Sequence, residues 1–127
     1  MRMSNTFLIF IGAGLGGISR YWTSNGVYLL LGRNFPFGTM IVNATGCLLM
    51  GLLYTLILER FNGIKQQLRS LLLIGFLGGY TTFSSFSIET INLYESGDWL
   101  NANLNILLSF IICISLTWLG IFLGRQL

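Results

Sequence analysis

A chain of 127 residues is the length of one ordinary soluble domain, but here 54% of the residues are hydrophobic, only 9% are charged and the mean hydropathy is +0.74. Seven basic and four acidic side chains, net charge +3, cannot build a water-facing shell, which leaves a bilayer as the solvent. The absence of histidine and the scarcity of acids exclude most metal centres and general acid-base enzymes, and no basic run points to nucleic acid.

Charges punctuate the chain into four stretches, each long enough for the ~20 residues that a helix needs to cross the hydrocarbon core. The predicted spans are 4–32, 37–58, 70–94 and 99–124, forming a single four-helix transmembrane domain over residues 1–127 with short loops. The fold class is therefore an all-α membrane protein, with both termini on one side. Its N-terminal apolar run has no small-residue cleavage site after it and is expected to remain as the first span. Five basic residues (Arg2, Arg60, Lys65, Arg69, Arg125) fall on one side and Arg33, with Arg20, on the other, which by the positive-inside rule puts the N-terminus in the cytoplasm.

In the first span, Gly12, Gly14 and Gly17 spell G-x-G-x-x-G, but a dinucleotide site needs an acid about 20 residues on. The first acid is Glu59. Small residues four apart at Gly12/Gly16, Gly75/Gly79 and Gly120/Gly124 fit close helix–helix contact instead. Arg20 is an ion at or near membrane depth, a candidate for drawing anions into a vestibule or for snorkelling to the interface.

The second span places Asn43 near mid-membrane, where its amide can donate two hydrogen bonds. Asn43-Ala44-Thr45 spells a glycosylation sequon that no glycosylating enzyme reaches at that depth. Cys47 here and Cys113 in the fourth span read as core packing rather than a disulfide framework.

The third span carries the chemistry. Gly78-Gly79 lies near the bilayer centre, where paired glycines weaken a helix, so the helix is expected to break there; the alternative is a tightly packed glycine contact. Freed carbonyls at such a break can coordinate a cation. Five of the seven residues from Thr81 to Ser87 carry hydroxyls. Phe83 and Phe86 share a helix face among Thr82, Ser84 and Ser85. Their ring edges would attract an anion and their faces a cation, unless they simply pack against lipid or a neighbouring helix. Glu89 caps this ladder or snorkels. In the fourth span Ser109, Ser115 and Thr117 continue a set of uncharged donors, which suits a desolvated small anion because no full charge traps it.

Three segments, Gly16-Gly17-Ile18-Ser19-Arg20-Tyr21, Val42-Asn43-Ala44-Thr45-Gly46 and Gly78-Gly79-Tyr80-Thr81-Thr82-Phe83-Ser84-Ser85-Phe86, resemble in order and spacing the signature segments of the Fluc (CrcB) fluoride channels. The resemblance runs over essentially the whole chain. It implies an antiparallel, dual-topology homodimer in the bacterial inner membrane with two fluoride pores at the subunit interface. It further implies that Phe83 and Phe86 present ring edges to fluoride, that Asn43 contributes its amide, and that Thr82, Ser84, Ser109 and Thr117 extend the polar track. Arg20 matches the vestibule arginine and Glu89 an acid following the phenylalanine motif. Gly78 and Thr81 match the positions whose backbone carbonyls hold a structural Na+ at the dimer axis. Where such channels often carry a tyrosine early in span four this chain offers Asn103 or Asn105, to which no role is carried, and Ser85 stands where a threonine is common. The charge asymmetry runs against a dual topology, and the motif match outweighs it. Two rivals remain at this level. A four-helix proton-coupled exporter of cationic drugs would need a carboxylate in its first span, which this chain lacks, and a non-transporting assembly subunit would be silent in liposomes.

Overall fold

The computed structural model describes residues 3–127. Among them every regular element is a helix: α1 (Met3–Leu31), α2 (Phe37–Arg60), a third helical run built from α3 (Lys65–Leu68), a π-helical stretch (Arg69–Leu77) and α4 (Gly78–Tyr80), then α5 (Phe83–Glu95) and α6 (Trp99–Gln126). Three segments, Phe37–Arg60, Lys65–Glu95 and Trp99–Gln126, are long and apolar enough to cross a membrane. The 29 residues of α1 extend about 43 Å, beyond the ~30 Å core, and its apolar character is diluted by Arg20 and its glycines. The chain is a multi-pass helical membrane protein.

The third span is two helices. Its break, expected near Gly78-Gly79, is made by Thr81 (φ −82°, ψ 156°) and Thr82 (φ −151°, ψ 119°), which are extended, while Gly78 keeps helical angles. The glycines serve packing. A Cβ on Gly79 would stand 2.5 Å from the Ala13 carbonyl oxygen of α1, and one on Gly75 3.0 Å from the Gly12 Cα. Small-residue contact also joins α2 to α6, where a Cβ on Gly120 would stand 2.8 Å from the Leu52 nitrogen and one on Gly124 2.9 Å from Thr55 Cβ. In lipid, where burying apolar surface gives no drive between helices, such backbone proximity supplies the dispersion contacts that hold the bundle. The predicted glycine pairs are thus the seams of the fold. Ile57 of α2 meets Leu73 and Leu77 of the π stretch in a buried cluster flanked by Met50, Leu53 and Phe76.

The turn from α5 to α6 is closed by Gly97 at φ +84°, whose N–H donates to Tyr94 O (3.1 Å) while the Asp98 N–H donates to Leu93 O (2.9 Å). This is the Schellman arrangement, and Asp98 then caps α6 by accepting from the Asn101 N–H (3.3 Å).

Gly120→Ala forces a methyl against the α2 backbone, so a loss of about 1–3 kcal/mol is expected, read as a lowered melting midpoint in detergent. Gly14→Ala, where a Cβ meets nothing within 4 Å, should leave the midpoint unchanged or raise it.

Candidate functional site

Breaking a helix in a membrane strips backbone groups of their partners, and each must be repaired from within the protein. Asn43 on α2 makes the principal repair. Its Oδ1 accepts from the Thr82 N–H (2.8 Å), replacing the helical bond that the break removes, and its Nδ2 donates to Thr82 O (2.9 Å), the carbonyl that also opens α5 as its N-cap. Gly46, one turn along α2, admits the break by having no side chain, since a Cβ there would overlap the Thr81 methyl. Thr81 bonds backward, its N–H and hydroxyl both donating to Leu77 O (3.0 and 2.9 Å). Thr82 Oγ1 accepts from the Ser85 N–H (3.1 Å), an N-cap that starts α5, and lies 3.2 Å from Ser84 Oγ.

These bonds also decide which carbonyls are left over. In an unbroken helix Gly78 O would accept from the Thr82 N–H and Thr81 O from the Ser85 N–H. Both donors are instead committed to side chains, Asn43 and Thr82. Gly78 is exposed. Two uncharged oxygens released at a helix break are the donor type that a hard monovalent cation accepts, so the residues present fit a Na+ site by chemistry.

Asn43, Thr81, Thr82, Phe83, Phe86 and Ser109 all line one cleft of about 260 Å³, together with Cys47, Phe110 and Cys113. Phe83 is 69% exposed and projects outward, whereas Phe86 is 8% exposed. Their centroids are 5.4 Å apart with planes tilted by 49°, and Phe86 meets Phe110 edge-on at 6.0 Å. Asn43 uses one Nδ2 hydrogen on Thr82 and has a second available to the cleft.

Thr82 is also a wall of a second cavity, about 330 Å³, that holds Arg20, Tyr21, Thr39, Ser85 and Glu89. Glu89 and Tyr28 in turn border a third, about 340 Å³, with Arg33, whose guanidinium lies 4.5 Å from the Tyr28 ring centroid. Arg20, Thr82 and Phe83 therefore sit along a chain of adjoining compartments. Ser84 adjoins the cleft through Thr82 only. Thr117 lies two turns beyond Ser109 on α6, donates to Cys113 O (2.9 Å), and lines none of these three cavities.

Several polar residues of the site escape sequence reading. Thr39 donates to Glu89 Oε1 (2.8 Å), and Glu89 Oε2 is buried without a hydrogen-bond partner among the described residues. Asn105 is 1% exposed and ties α6 to α5 by donating to Thr90 Oγ1 (2.8 Å); Ser109 donates to Asn105 Oδ1 (3.3 Å) and Thr90 to Phe86 O (2.7 Å). That relay fixes both Ser109 and the backbone of Phe86. Asn103 is the other asparagine of that region and accepts from the Tyr94 hydroxyl near the α5–α6 turn. The available signal was spacing: Phe86/Thr90 and Asn105/Ser109 are each four apart, on one face of their helices.

With this geometry, residues 7–121 match the family described as CrcB-like protein, Camphor Resistance (CrcB). The chain belongs to the CrcB family. It is 63% identical over 97% of its length to a protein of Coxiella burnetii (strain Dugway 5J108-111) named fluoride-specific ion channel FluC, of which it covers 99%. Proteins of the same name from Geobacter sulfurreducens (46% identical; 98% of this chain, 100% of the relative) and Magnetococcus marinus (45%; 92% and 94%) are similar over comparable lengths. The CrcB match reaches into each of the four predicted spans and includes every cleft residue named above.

Asn43→Leu leaves the Thr82 N–H unpaired, with an expected cost of about 1–3 kcal/mol in a detergent melt. Ser84→Ala, which leaves the Asn43–Thr82 pair intact, should change stability by under about 0.5 kcal/mol.

Proposed function

We propose that this chain is a fluoride-selective channel that passes F− passively out of the cytoplasm across the bacterial inner membrane. The observation that carries the reading is the cleft in which a helix break, a side-chain amide and two phenylalanines converge in a chain 63% identical to a fluoride-specific ion channel.

Fluoride holds its water strongly, so a path must replace hydration with donors yet bind weakly enough to release the ion. The free Nδ2 hydrogen of Asn43, the hydroxyls of Thr82 and Ser84, and the positive ring edges of Phe83 and Phe86 are uncharged donors of this kind, and the hydroxyls of Ser109 and Thr117 would join them by turning from Asn105 and Cys113. Arg20 would raise the anion concentration in the cavity that shares Thr82 with the cleft. Glu89 borders that cavity with one oxygen held by Thr39 and would contribute to the path there. A negative-inside potential drives an anion outward at about 2.3 kcal/mol per charge per 100 mV, so neither nucleotide nor catalytic step is required.

The cleft has one wall in a single chain. Phe83 projects away from its own bundle, so a second copy would close the path, and antiparallel pairing of two copies would give two equivalent pores at an isologous interface. Gly78 and Thr81 carbonyls from each copy would hold a structural Na+ at the axis; bound there, the cation would offset the partial negative charge of four oxygens brought together.

Purified protein in liposomes, with valinomycin and potassium balancing charge, should release fluoride rapidly and chloride negligibly. A folded preparation that moves neither ion would favour the assembly subunit, and proton-coupled drug uptake would favour the exporter. Phe83→Ile and Phe86→Ile keep bulk and remove the aromatic edge, and should abolish most fluoride efflux while the protein still elutes as a dimer. Unchanged efflux would remove both rings from the pore.

A further inference from the structure

Away from the pore cleft, the largest of the described cavities, about 550 Å³, opens where α2 ends and the third helical run begins. Lys65 and Arg69 line it with Asn62 of the connecting loop, and Asn5 of α1 and Ser70 form part of its wall. No carboxylate is among the lining residues. Asn5 is 4% and Ser70 5% exposed, so both are nearly buried polar side chains at the cavity wall. Polar side chains that border a cavity can hydrogen-bond a headgroup that enters it.

We infer that this cavity is a headgroup site for an anionic phospholipid, with the phosphodiester between Lys65 and Arg69 and its oxygens or the adjoining glycerol hydroxyls meeting Asn5, Ser70 and Asn62. Three features favour a lipid over a free phosphate ion. The cavity lies at the junction between a charged loop and two apolar spans, the depth at which lipid phosphates sit. Its wall includes the exposed Ile74, five residues and so about 7 Å down the helix from Arg69, towards the acyl region. Exposed Phe61 and Ile64 flank the loop on either side of Asn62-Gly63 and offer further apolar contact. Basic pockets between membrane helices select anionic headgroups by this combination of charge and depth.

The site shares no residue with the pore cleft, so its test is separate from that of fluoride permeation. Full-length protein is reconstituted with equal parts phosphatidylglycerol and phosphatidylcholine, extracted gently, and its bound lipid counted by native mass spectrometry. Phosphatidylglycerol should be retained in preference, and the double substitution Lys65→Gln/Arg69→Gln should lower its retention about tenfold with fluoride efflux unchanged. Lys65→Arg should retain the lipid. Equal retention by the double variant and the parent chain overturns the site. Displacement of the lipid by millimolar inorganic phosphate identifies a free-anion site and overturns the lipid assignment. If the double variant does not fold, Asn5→Leu gives the same decision: retention lowered severalfold supports the site, and retention unchanged overturns it.

Discussion

The reciprocal pair of hydrogen bonds between Asn43 and the Thr82 backbone is the interaction on which the rest of the site depends. A membrane interior offers no water to a broken helix, so the interruption after Tyr80 exists only because a side chain of another span takes over the orphaned groups. The amide is the one neutral side chain that offers a donor and an acceptor in the spacing of a peptide. Because it captures the Thr82 N–H, Gly78 O loses its helical partner, and because Thr82 caps α5, Thr81 O loses its own. The same few bonds thus restart the helix at Phe83 and set the direction in which Phe83 and Phe86 leave the backbone.

Close packing makes that repair possible. Glycines at 12, 75, 51 and 120 bring α1 against the π stretch and α2 against α6 with backbones nearly touching, and Gly46 lets the break lie flat on α2. The π-helical stretch immediately before the break shifts bonding to i→i+5, as in the Gly78 N–H reaching Leu73 O. Such wide turns collect at functional positions because they re-aim the chain without ending the helix. On the other side, Asn105, Thr90 and Ser109 form a buried relay that locks α5 to α6, so the aromatic pair is held between two polar seams rather than by apolar packing alone.

Much of this was legible in the residue order. Long charge-free runs can satisfy their backbone only as helices in lipid, and glycines four apart favour contact seams, so the all-helical membrane class and the small-residue stripes followed from local rules. The cluster of hydroxyls around Phe83 and Phe86 marked the right segment, and Asn43 stood out as a lone amide at depth. The break was expected near Gly78-Gly79, and the extended residues proved to be Thr81 and Thr82. Glycine makes a helix weak, but the break settles where an external partner can accept the freed groups, and that partner lies 39 residues away. Thr117 matched the polar pattern but is turned to its own helix at Cys113.

The sequence by itself determined membrane residence, the helical class, the family's signature segments and the inventory of uncharged donors, because these rest on hydropathy and on residues near one another in the chain. Tertiary structure alone decided that Asn43 holds the Thr82 backbone, that Thr39 meets Glu89 across 50 residues, and that Asn105 rather than Asn103 joins the buried relay. Those outcomes depend on which helix faces register when three spans pack. Periodicity can place a polar residue on a face, but the hydrogen bond it makes is set by the rise and rotation of a neighbouring helix that no local pattern encodes.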